Sequence, residues 1–169
     1  MPRTLLIALL PLIAAAIPVH AERAASHAIV LSGTVSGTEH RVFSLPDTGA
    51  KWRWKGTGTV QPLGHASATG ANHAVGFIRT GTPIGTMVLT GANGTLELAL
   101  TYRQTRGFAP LPVHATYVIT GGTGQYAGAT GSGSVLRHLT PCSPALGGPS
   151  CSAALARPVT YRFVAPATR

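Results

Sequence analysis

Residues 117–133, "YVITGGTGQYAGATGSG", hold the residue types most suggestive of chemistry in this chain. Within them "GTGQYA" is a G-x-G-x-x-A string behind an apolar, β-branched run, the shape of a dinucleotide-binding turn. In such a turn glycines let the backbone approach a pyrophosphate, which the N–H groups of a following helix then hold. The helix is what fails here. "GATGSGSVLRHL" comes next, and Gly128, Gly131 and Gly133 make a poor helix start. The acidic residue that would hold the ribose about 20 positions on is missing too, because no Asp or Glu follows Glu97. The string therefore reads as a tight turn between strands, with no cofactor.

Other reactive constellations are sparse. His27, His40, His65, His73, His114 and His138 show no H-x-H or H-x3-H spacing, so no metal site is expected. There is no G-x-S-x-G elbow for a serine nucleophile. The acids number four: Glu22, Glu39, Asp47 and Glu97. Only Glu97 falls in a strand expected from the pattern, where Thr95 and Ala99 share its face and the leucines lie opposite. That phase points Glu97 to solvent, and makes it a residue to test, not a catalyst. Cys142 and Cys151 stand in "PCSPALGGPSC", which reads as a disulfide closing a Pro/Gly loop over 140–157 and contributing about 2–3 kcal/mol.

The elements that would carry these residues are strands. Short β-rich segments separated by glycine-bearing turns recur at 28–36, 52–60, 74–80, 84–91, 95–103, 113–121, 131–139 and 158–164. Leu96, Leu98, Leu100 and Tyr102 share one face of their segment, as do Val159, Tyr161 and Phe163. "TGAN" occurs at 69–72 and again at 90–93 and reads as repeated turn chemistry, the second copy making a hairpin with Gly94. The pattern predicts an all-β fold, a single antiparallel eight-stranded barrel.

The start of the chain sets an expected compartment. Arg3 precedes an uncharged apolar run, 5–19, broken by Pro11 and Pro18, and "VHA" ends it like a cleavage site. The run is too short for a membrane span of about 20 residues, so 1–21 reads as a signal peptide and 22–169 as the barrel domain, secreted or periplasmic. The formal net charge is +9, with 13 Lys and Arg against the four acids. These cations are dispersed, and only "KWRWK", 51–55, concentrates three. No nucleic-acid partner is expected from that distribution.

The stretch "YVITGGTGQYAGATGSGSV" resembles the late hairpin of the allene oxide cyclase and dirigent barrels, and "GTLELALTYRQT" and "GTGTVQPLG" are similar to segments upstream of it. The resemblance covers roughly residues 50–140. It implies an eight-stranded barrel with a largely apolar interior, wide enough for its own side chains or one small ligand. In that frame Gly121, Gly122, Gly124 and Gly128 serve a turn or bulge, and Tyr126 caps the barrel end. Any ligand site is expected at the mouth, lined by Trp52, Trp54, Phe77, Tyr102, Tyr117 and Phe163. Room for it depends on whether Gly56, Gly58, Ala66, Ala68, Gly76, Gly85 and Ala99 face inward or the aromatics fill the barrel. Two functions follow: a non-catalytic binding barrel for a small apolar or aromatic ligand or an envelope partner, or a cyclase, isomerase or stereo-directing enzyme. Scarce acids favour the first. An interior polar cluster would favour the second.

Overall fold

The computed structural model describes residues 27–42, 49–75, 84–103, 113–140 and 156–165. Eight strands run β1 (Ser32–Val42), β2 (Gly49–Gln61), β3 (Gly64–Val75), β4 (Ile84–Gly91), β5 (Gly94–Tyr102), β6 (Val113–Gly122), β7 (Ser132–Leu139) and β8 (Ala156–Val164). Each pairs antiparallel with its chain neighbour, and β8 returns to β1, so the sheet closes without an edge. This is the predicted eight-stranded barrel.

Period-two alternation decides which residues face inward. Leu96, Leu98, Leu100 and Tyr102 of β5 are buried, as are Val159, Tyr161 and Phe163 of β8. Thr, Ser and charged residues alternate with them on the outside, opposite to the apolar-out pattern of a barrel in a bilayer. Glu97 is on that outer face, as its phase predicts. The segment 1–21 expected as a signal peptide, the span 104–112 and the expected Cys142–Cys151 disulfide loop lie outside the described residues.

One end is closed by tight turns. Pro62–Leu63 joins β2 to β3 and Ala92–Asn93 joins β4 to β5, with Gly91 opposite Gly94. The β6–β7 connection holds a 3-10 turn, Gly124–Tyr126, and no α-helix follows it. Tyr126 is buried and its hydroxyl donates to the Pro62 carbonyl at 3.3 Å, so it caps this end. Gly124 and Gly128 have positive φ, 60° and 72°, which glycine adopts without strain. Of the turn or bulge expected at Gly121 and Gly122, only the bulge is found: both stay in the strand without positive φ. The β5–β6 register shifts between Glu97 and Leu98, which leaves Thr120 as the extra residue of a bulge beside Gly121.

The largest departure is β3. The expected strand at 74–80 overlaps it only at 74–75; 76–80, with Gly76 and Phe77, lie outside the described residues. "GHASATGANHAV" has only Thr69 and Val75 of the β-branched types and no aromatic residue to mark it as a strand, yet it forms all of β3. Three of its inward positions, Ala66, Ala68 and Gly70, are small. The Trp54 indole lies so close over Gly70 that a Cβ there would meet Nε1. The first "TGAN" is thus mid-strand, and only the second is a turn. Gly133 likewise sits under Tyr117, whose hydroxyl would be 2.7 Å from an added Cβ. At both places aromatics fill the space that inward glycines leave, while Ala99 faces outward.

Candidate functional site

The barrel interior divides into an apolar part near the tight turns and a polar cluster toward the other end. Register builds the cluster. On β1, Leu31 precedes the inward series Val35, Gly37 and Glu39, and Glu39 stands opposite Trp54 of β2 and Arg157 of β8. Arg137 of β7 stands opposite Tyr161 of β8, and Asn72 of β3 stands opposite Trp52 of β2. All of these share the inward phase of their strands, so closure of the sheet points them at one another.

Glu39 is fully buried, with no exposed surface. Both of its oxygens accept from one terminal nitrogen of Arg137, at 2.5 and 2.6 Å. The Arg157 Nε donates to Oε2 at 3.0 Å, and the Asn72 amide donates to Oε1 at 3.0 Å. Asn72 also donates to the Tyr161 hydroxyl at 2.9 Å, and its carbonyl accepts from the Tyr102 hydroxyl at 2.5 Å. Every polar atom of the Asn72 side chain is therefore used. Tyr161 stacks on Trp54 with ring centroids 4.4 Å apart. The Arg157 guanidinium lies over the Trp52 ring at 5.9 Å, and Arg137 lies over Tyr102 at 5.7 Å.

Electrostatics follow from this enclosure. Burial pushes the Tyr102 hydroxyl well above its ordinary pKa of 10.0, and nearby Tyr161 adds to the rise. Burial also raises Tyr161, against the opposing pull of Arg137. Burial disfavours the Arg137 charge, but Tyr161, Glu39 and Tyr102 outweigh it and raise its pKa. Among the described residues two arginines thus share one carboxylate, leaving the cluster one positive charge in excess. Two buried donors, Trp54 Nε1 and Arg137 Nε, have no partner among the described residues. The surplus is of donors and of positive charge, so the complementary chemistry is an anionic acceptor.

The six residues expected to line a ligand site do not stay together. Trp52, Trp54 and Tyr102 belong to the polar end. Tyr117 and Phe163 pack edge-to-face at 5.6 Å in the apolar part, where the Tyr117 hydroxyl accepts from the Leu31 N–H at 2.9 Å. Phe77 lies outside the described residues. Sequence reasoning missed Glu39, Asn72, Arg137, Arg157 and Tyr161 as site residues. Expecting the first strand to stop at 36 hid Glu39; extending the phase of Val35 by two steps reaches it. Among the described residues no group of three or more His, Cys, Asp or Glu could hold a metal ion. Compared with known families, curated proteins and solved structures, the chain matches none.

Proposed function

We propose that this chain is an exported binding barrel for a small, flat, anionic molecule held at the polar end. The observation that carries the reading is the pairing of two arginines with the buried carboxylate of Glu39. Arg137 is nearly enclosed, whereas Arg157 keeps 35% of its side-chain surface exposed and is the cation within reach of an incoming ligand. Trp52, half-buried beside it, offers an aromatic face to the ligand body. The resemblance to allene oxide cyclase and dirigent barrels, the leader at 1–21 and a secreted or periplasmic location belong to the same proposal.

The interior polar cluster favours a second reading, a cyclase, isomerase or stereo-directing enzyme. In it Tyr102 and Tyr161, kept protonated by burial, are the proton donors. Glu39 is a poor base, because both of its oxygens already accept from Arg137 and from one further donor each. That saturation is why we put binding ahead of catalysis.

Titration of the protein with 2-naphthoate and with neutral 2-naphthamide, followed by tryptophan fluorescence, tests the reading. The acid is expected to bind at one site, and Arg157→Gln to weaken it at least about tenfold, since a charge-assisted hydrogen bond is worth about 1.5–3 kcal/mol. Equal binding of acid and amide, or no binding of either, overturns it. Conversion of a reactive lipid or phenolic substrate to one stereoisomer, lost in Tyr102→Phe, would select the enzyme instead.

A further inference from the structure

The "KWRWK" motif puts its tryptophans and its cations on opposite sides of the barrel wall. Trp52 and Trp54 point inward to the polar cluster, while Lys51, Arg53 and Lys55 are exposed on the outer face of β2. Cations two residues apart on one strand face lie roughly 6.8 Å apart. Register adds imidazoles: His40 of β1 stands opposite Arg53, and His73 of β3 stands opposite Lys51. No carboxylate answers them among the described residues. Glu39 is inside, held by Arg137 and Arg157, and Glu97 is on β5. Glu22 and Asp47 lie outside the described residues.

A groove of about 330 Å³ runs over this wall. Its outer positions form two cross-strand rows, Lys51–His73–Ile84 and Arg53–Ala71–Thr86. Ala71 is the smallest of the six and makes the low point. We propose that this face is a docking surface for an anionic polysaccharide. The cations supply charge complementarity. Next to them Ser36, Thr57, Ser67 and Thr69 are exposed on β1, β2 and β3 and present hydroxyls that match those of a sugar chain. A lipid surface fits less well. Insertion needs apolar side chains, and among the residues whose exposure is described the only large apolar one exposed on this wall is Ile84. Trp52, Asn72 and Gly85 complete the lining, so the groove backs onto the interior cluster, but the proposal rests on the outward rows of β2, β3 and β4.

Binding of the purified protein to polygalacturonate, with neutral dextran as control, tests this. Polygalacturonate is expected to bind at low ionic strength and to weaken at least tenfold by about 0.2 M salt, where the Debye length is under 10 Å. The double variant Lys51→Gln, Arg53→Gln is expected to weaken binding about tenfold. Arg103→Gln, Arg162→Gln removes the same charge from exposed positions on β8 and at the end of β5, and is expected to change binding less than twofold. Circular dichroism checks that both variants fold, and Lys55→Gln alone, expected to weaken binding about threefold, serves if the first does not. Equal losses in the two double variants would reduce the patch to net charge and overturn the proposal. So would tighter binding to phosphatidylglycerol vesicles than to polygalacturonate, or no binding to polygalacturonate.

Discussion

Glu39 is where the fold and the candidate site depend on the same atoms. A buried carboxylate facing two guanidinium groups is tolerated because each charge is paired and hydrogen-bonded. Glu39→Gln removes the only described counter-charge of Arg137, which is itself almost fully enclosed. We expect a loss of about 3–5 kcal/mol in urea unfolding, the usual cost of breaking a buried pair. The double variant Glu39→Gln, Arg137→Met should recover part of that loss, since no unpaired buried charge remains on β7. A single variant less than 1 kcal/mol below the parent would mean that water reaches these groups and that the enclosure described here is wrong.

At the scale of elements, the β6–β7 connection and β3 show opposite relations between sequence and structure. In the connection, glycine spacing is informative because the backbone needs it. Gly124 has φ 60°, and an added Cβ would lie 2.2 Å from the Asn93 carbonyl oxygen. Gly124→Ala combines left-handed strain of about 1–2 kcal/mol with that contact, so its thermal midpoint should fall by several degrees. An unchanged midpoint would show that this turn does not lock against the β4–β5 turn. In β3 the glycines say nothing local. Gly70 has ordinary strand geometry and is small because Trp54, sixteen residues earlier in the chain, lies on it. No turn rule applied to "TGAN" detects that.

Across the whole molecule, the buried tyrosines tie stability to pH. Tyr102, Tyr117 and Tyr161 all have pKa values raised above 10.0, each chiefly by burial. Their folded states hold protons that the unfolded chain releases near pH 10. The stability they contribute is therefore complete below that pH and is lost as pH rises toward and through the folded values. Absorbance at 295 nm should show their ionisation delayed beyond pH 10 and arriving together with loss of barrel circular dichroism. Ionisation of all three near pH 10 in a barrel that stays folded would contradict their burial.

Alternation and turn residues made most of the architecture legible from sequence. The leucine face of β5, the Val159–Tyr161–Phe163 face of β8 and the outward phase of Glu97 follow from a period of two, which is a local property. The absence of a helix after "GTGQYA" was legible for the same reason, since helix propensity acts over neighbouring residues. The site was not legible. Asn72, Arg137 and Arg157 lie 33, 98 and 118 positions from Glu39 in the chain, and nothing near any of them marks it as a partner of the others. Their meeting depends on barrel closure, the β1–β8 pairing that puts Arg157 opposite Glu39. Local sequence chooses the face on which a side chain stands; only the closed sheet decides which faces see each other, and there two arginines came to share one acid.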